Sequence, residues 1–212
     1  MGWHRSTTRL AVAGALAALL LAGCSSGKST SDGGNPSTTV APATDPSTDL
    51  RGLIVTTAPR GYVAVDGEPF GAFSLDRFLA DFSITPDADR SILAENGFRG
   101  GYARAWANDT TGGVLAVFVF EFPDGTAATS ALDRFVDQFV AVSDATPFDV
   151  AGVPNAAGGT YLQDTDQGEQ RVHQVSFVRR NLLVQVGGQF ADRSMPTAEV
   201  VSFAVAEDKV LG

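Results

Sequence analysis

Val114 to Phe122 is apolar along its whole length except for Glu121. Read as a strand, it carries Phe118, Phe120 and Phe122 on one face and Leu115, Val117 and Val119 on the other. A strand apolar on both faces sits centrally in a sheet, with cover above and below. The flanking segments must supply that cover. Just upstream, Phe98 to Ala107 alternates as a strand, with Phe98, Tyr102, Arg104 and Trp106 on one face and Arg99, Gly101, Ala103 and Ala105 on the other. Asn108 to Gly113 joins the two as a hairpin loop.

Downstream, Asp124 stands where a helix cap belongs, and Leu132, Phe135, Val136, Phe139 and Val140 recur at helical spacing, which predicts a helix from about Gly125 to Val142. Phe148 to Val150, Gly158 to Leu162, Val172 to Val178 and Leu182 to Val186 then read as an antiparallel meander. Met195-Pro196-Thr197 opens a last helix, whose buried side is drawn from Val200, Val201, Phe203, Ala204 and Val205. A smaller unit precedes the first hairpin. It comprises strand pieces Leu53 to Val55 and Tyr62 to Val65, a helix from about Ser74 to Phe82 capped by Ser74, a loop at Thr85 to Asp89, and one helical turn at Ser91 to Asn96. Leu75-Asp76-Arg77-Phe78 and Leu132-Asp133-Arg134-Phe135 suggest a repeat at an offset of 57, but the Gly-Tyr pairs at Gly61 and Gly101 give 40, so similar helix faces account for the match. The expected fold class is α+β: an antiparallel sheet with helices packed mainly on one face.

The chain outside this pattern has a different character. His4, Arg5 and Arg9 precede an uncharged run from Leu10 to Leu21 that is short for a bilayer crossing. Ser25 to about Asp49 is Ser, Thr, Gly, Pro and Asp with almost nothing apolar, so it cannot bury enough surface to offset the entropy of ordering and is expected to be a disordered tether. A coil of about 25 residues has an end-to-end distance of roughly 25 to 30 Å. Leu50 to Gly212 is long enough for one domain with its own core.

Leu21-Ala22-Gly23-Cys24 resembles the bacterial lipoprotein lipobox, in which cleavage falls between the positions of Gly23 and Cys24 and the cysteine is lipidated. The resemblance implies a signal peptide at 1–23, a lipidated cysteine and tether at 24–49, and a single α+β domain at 50–212. Cys24 is the sole cysteine, so no disulfide forms within the chain. With the signal removed, 13 basic face 24 acidic residues, a net charge of −11. That balance argues against nucleic acid as a partner, because binding there rests on releasing counterions to a basic surface.

Ala58-Pro59-Arg60-Gly61-Tyr62, Gly97-Phe98-Arg99-Gly100-Gly101-Tyr102 and Val117 to Ala128 with its helix resemble a group of actinobacterial lipoproteins and sensor-like extracellular domains, including those appended to membrane kinases. The resemblance implies an extracytoplasmic, membrane-anchored module, and no functional residue is carried over from it.

Catalytic chemistry has little to build on. His173 is the one histidine left after signal removal, and a structural role on its strand is expected. Neither a G-x-S-x-G stretch nor a phosphate-cradling Gly-rich loop is present. Asp164 to Glu169 resembles a calcium loop but lacks its ligand spacing, and reads as a hairpin turn. No catalytic residue, metal ligand or cofactor is therefore nominated. Tyr102, Arg104 and Trp106 are the candidate ligand-binding residues, since rings and a guanidinium on one sheet face can stack on and hydrogen-bond an anionic or sugar-like molecule. The expected function is a non-catalytic binding or sensor-like lipoprotein, lipid-anchored through Cys24 at the outer face of the cell membrane and taking a small-molecule or cell-envelope ligand. The alternatives are a carrier of an apolar or lipid molecule, motivated by 14 phenylalanines and the Phe118, Phe120, Phe122 face, and a carboxylate-dependent hydrolase using the acids around Asp164.

Overall fold

A computed structural model describes residues 49–165 and 168–212. The apolar stretch identified above is strand β4 (Gly113–Glu121), buried along its whole length. It pairs antiparallel with β3 (Gly100–Asn108) on one side and β8 (Leu182–Phe190) on the other. Beyond β8 the sheet continues through β7 (Gly168–Arg179) and β6 (Ala157–Thr165) to β5 (Thr146–Phe148) at the far edge. At the near edge the short β1 (Val63–Val65) and β2 (Gly71–Phe73) both pair with β3, which makes eight antiparallel strands.

Three helices cover one face: α1 (Leu75–Asp81), α2 (Pro86–Glu95) and α3 (Gly125–Ser143). The opposite face takes α4 (Ala198–Leu211) and the residues that lead into β1. The α+β class and the gathering of helices mainly on one face are as expected. Asp124 caps α3 through a side-chain bond to the Ala127 amide, and Ser74 caps α1 through Arg77. The lipoprotein signal and tether assigned to 1–49 lie, but for Asp49, outside the described residues.

Several boundaries differ from expectation for identifiable reasons. Thr85 to Asp89 is not a loop, because Pro86 occupies the first position of α2, where a missing amide is harmless. Leu53 to Val55 is not a strand. Leu50–Leu53 forms a 3-10 turn, and the polar groups of Val55 bond to side chains instead of a neighbouring strand. Gly71–Phe73 pairs with β3, an element too short to show periodicity. The fifth strand is Thr146–Phe148, and the last helix starts at Ala198. Phe98 precedes β3 and packs under the helices with Ala103 and Ala105, on the face opposite Tyr102 and Trp106.

Phe120 is the centre of the helix-covered face. Its ring lies 5.1 Å from Phe78, 5.5 Å from Phe73 and 6.1 Å from both Phe98 and Phe135, centroid to centroid. The first three contacts are steeply inclined, the geometry favoured by the ring quadrupole. Above this cluster, buried Asp89 ties three segments together by accepting from Ser83 Oγ at 2.5 Å, Gln138 Nε2 at 3.0 Å and Thr85 Oγ1 at 3.3 Å. Phe120→Ala therefore leaves a cavity bounded by several rings that cannot all collapse into it. Urea unfolding is expected to show a loss of about 3 to 5 kcal/mol, whereas Val63→Ala, at a residue 71% exposed, stays within about 0.5 kcal/mol of wild type.

A candidate ligand cavity between α3 and the β5–β7 edge

The apolar stripe of α3 extends past the apolar surface beneath it. Its first part meets the phenylalanine cluster, where Phe135 contacts Phe120, and Phe139 stands edge-on to Tyr161 at 5.3 Å. On the other side of Phe139 from Tyr161 the sheet offers the small residues Ala157, Gly159 and Ser176. Gly159 is required there, since a Cβ would lie 2.4 Å from the Phe139 ring. Small side chains under a helix that cannot come closer leave a cavity of about 230 Å³. Val136, Phe139 and Val140 bound it on the helix side, and Pro147 and Phe148 bound it at β5. Val140 is 52% exposed and marks the mouth.

The sheet side of this cavity is polar. Gln174 and Ser176 line it, and Gln174 Nε2 donates to Ser176 Oγ at 3.2 Å. In register, Gln174 lies opposite Gly187, and Ser176 lies opposite Gln185. Strand alternation puts Gln185 and Gln189 on that same face, either side of Gly187. All three glutamines are more than nine-tenths buried. Gln174 Oε1, Gln185 Oε1 and both amide atoms of Gln189 have no hydrogen-bond partner among the described residues. Each such orphan costs about 1 to 3 kcal/mol unless water or a ligand satisfies it.

None of the residues lining the cavity is charged. Ser176 is the one hydroxyl there, and the histidine on its strand faces away from it. His173 Nε2 lies 2.9 Å from the Met195 carbonyl, its ring packs against Phe148 and Phe190, and burial lowers its pKa. This is the structural role expected for it. The site can therefore enclose and orient a molecule, but it holds no acid, base or activated nucleophile. Among the described residues, no group of three His, Cys, Asp or Glu side chains converges on a metal position, and no helix is long and apolar enough to cross a membrane.

The other residues singled out from the sequence are placed as follows. Asp164 and Glu169 pair across the β6–β7 hairpin, as do Thr165 and Gly168, while Asp166 and Gln167 lie outside the described residues. Cys24 lies outside the described residues. The phenylalanine face is filled: Phe118, Phe120 and Phe122 are at most 1% exposed beneath the helices, which leaves no room there for an apolar cargo.

Tyr102, Arg104 and Trp106 share the α4 face, and each is already engaged. Trp106 is fully buried edge-on against Phe203 at 4.9 Å. The Arg104 guanidinium lies 6.0 Å from the Tyr102 ring and donates to the Val55 carbonyl at 3.1 Å. The Val55 amide donates in turn to Glu207 Oε2 at 2.9 Å. A strap from Leu50 to Val55 is thus clipped across this face by Arg104 of β3 and Glu207 of α4, with Leu50 and Ile54 buried beneath it.

Glu207 is fully buried, and desolvation pushes its carboxyl up to about 7 in spite of the Val55 amide and Arg104. A raised carboxyl binds more protons in the folded state than in the unfolded one. Its effect on stability is therefore most favourable at low pH and is lost as pH rises from the ordinary glutamate value through about 7. Glu207→Gln keeps an acceptor for Val55 and cannot titrate. The stability difference, wild type minus variant, should fall by on the order of 3 kcal/mol between pH 4 and pH 8 and be flat outside that window, by urea denaturation. Parallel pH profiles would show that the buried carboxyl does not titrate with folding.

No curated protein matches this sequence. Among solved structures, the fold is similar to the extracellular domain of PknH from Mycobacterium tuberculosis, at 15% identity and a TM-score of 0.48, covering 76% of this chain and 93% of that one. It is also similar to the Rv0999 ortholog from Mycobacterium smegmatis, at 11% identity and a TM-score of 0.38, covering 71% and 85%. By sequence, residues 64–201 match the family model described as the N-terminal domain of unknown function DUF7373. That match runs from within β1 into α4 and takes in all of β2 to β8 and every cavity-lining residue, and the chain accordingly belongs to the DUF7373 family.

Proposed function

We propose that this protein is a non-catalytic binding module, held at the outer face of the cytoplasmic membrane by a lipid on Cys24, whose ligand enters the cavity between α3 and the β5–β7 edge. The observation that carries the binding role is the cavity itself, which is apolar on its helix side, open at Val140 and lined without a titratable side chain. The anchor rests on the lipobox resemblance of Leu21 to Cys24 and on the polar segment that follows. Two lipid chains hold a protein to a bilayer where one is marginal. A carrier of whole lipids is disfavoured on size, because about 230 Å³ lies below the roughly 300 to 1,000 Å³ of ordinary ligand pockets. A hydrolase built on Asp164 has no support beyond the sequence, as that residue lies in the β6–β7 hairpin, far along β6 from the cavity-lining Ala157 to Gly159.

Two measurements test this reading. In thermal-shift screening of cell-wall fragments and lipids, run alongside turnover assays, saturable stabilisation without product is expected. Turnover without stable binding would contradict the module. For the anchor, Cys24→Ala should leave the thermal midpoint of the folded part unchanged, because no disulfide depends on that cysteine and the segment after it is almost free of apolar residues. The variant should lose acyl label and membrane retention. Wild-type protein without a lipid label, or an alanine variant still processed and membrane-held, would contradict the lipid anchor.

A further inference from the structure

The cavity combines two properties that restrict what it can hold. Its lining carries no charge, so an ionised group placed inside would lose its hydration and gain no counter-charge. Its sheet side is short of hydrogen bonds. Gln174, only 8% exposed, lines the cavity with an amide oxygen that has no donor among the described residues, on the same sheet face as the unpartnered Gln185 Oε1 and the unpartnered Gln189 amide. A dry apolar void would need none of these groups, and a solvent-filled one would not need Val136, Phe139 and Val140 around it. Size sets a third limit. An apolar cavity of about 150 Å³ admits one benzene ring, so about 230 Å³ accommodates a ring with a short chain or an acyl fragment of similar bulk.

We infer that the cavity takes a small neutral molecule with an apolar body, packed against Val136 and Phe139, and one hydroxyl or amide head that hydrogen-bonds to Gln174 where the sheet supplies no partner. This rests on the reading of the cavity as the ligand site. A hydroxyl both donates and accepts, so it serves either end of the Gln174 amide while Ser176 serves the other. A hydrocarbon leaves the amide oxygen orphaned, and a carboxylate adds a second acceptor where a donor is needed.

Three probes with one apolar body separate these cases: 4-propylphenol, propylbenzene and 4-propylbenzoate. They are titrated into the full chain in nanodiscs and followed by the methyl shifts of Val136 and Val140, with empty nanodiscs correcting for partition into lipid. The phenol should bind at least tenfold more tightly than propylbenzene, and the benzoate more weakly than either. Intermolecular NOEs from the probe to Val136 and Phe139 should locate it without any substitution. Gln174→Leu, which removes an unsatisfied amide, should fold at least as stably as wild type and erase the preference for the phenol; Gln174→Met serves if the leucine variant is insoluble. If no probe shifts those methyls, or NOEs place the probe elsewhere, both the cavity reading and this inference fall. Binding in the cavity with no preference for the phenol, or a preference that survives removal of the amide, overturns the ligand class and leaves the cavity reading standing.

Discussion

Burial of β4 on both faces is the constraint from which the rest of the architecture follows. A strand with phenylalanines on one side and branched aliphatics on the other cannot lie at an edge or face water, so the chain must build a layer against each side. On one side the layer is α1, α2 and the first half of α3, whose rings close around Phe120. On the other it is α4 with the Leu50–Val55 strap. There Gly188 of β8 lets the helix approach so closely that a Cβ would lie 2.5 Å from Val200.

The same arrangement explains where the sheet is loosely covered. α3 has to travel from the end of β4 to β5 at the opposite edge, so it crosses strands that it does not fully match. At β4 its apolar side meets the phenylalanine cluster through Phe135 and Phe120. It then passes over β7 and β8, whose shared face carries Gln174, Ser176, Gln185 and Gln189. The cavity lies at that mismatch, and its polar side is the face that the helix leaves unsatisfied. A protein selected for stability alone would fill such a place with leucine or valine, since buried orphaned amides work against folding. The strap on the opposite face is likewise held by groups that are unfavourable to bury, a carboxyl and a guanidinium, and it is the point where the segment that follows Cys24 enters the folded part.

Long periodic elements were legible from residues alone. The β3–β4 hairpin, α3, the meander and α4 all carry the alternation or helical spacing that burial on one face imposes, and Asp124 marked the start of α3, whereas Pro147 fell inside β5 and Pro196 two residues ahead of α4. Of the short elements, β1 and α1 were legible, but β2 and the first turn of α2 were not. β2 has three residues, and α2 begins on a proline inside a polar stretch, so neither presents a repeating apolar face. The candidate residues on β3 were correctly put on one face, but periodicity cannot say that Phe203 covers Trp106 or that Val55 occupies Arg104. The cavity left a trace in the sequence. Glutamine or serine at 174, 176, 185 and 189 alternates with Val175, Phe177, Val184 and Val186, which marks a polar strand face, yet α3 lies over it. Which helix covers which strand is a tertiary fact, and without it the trace reads as a solvent-exposed face.

The central claim is that one rigid element, enclosed on both sides, supports a looser edge that carries the site. Native-state hydrogen exchange resolved by residue tests this most directly. Amides of Leu115 to Phe120 should exchange only through global unfolding and report the highest free energy in the molecule, while those of Thr146 to Phe148 and Ala157 to Tyr161 should open locally at clearly lower free energy. Equal protection across the two regions, or earlier exchange in β4, would contradict it.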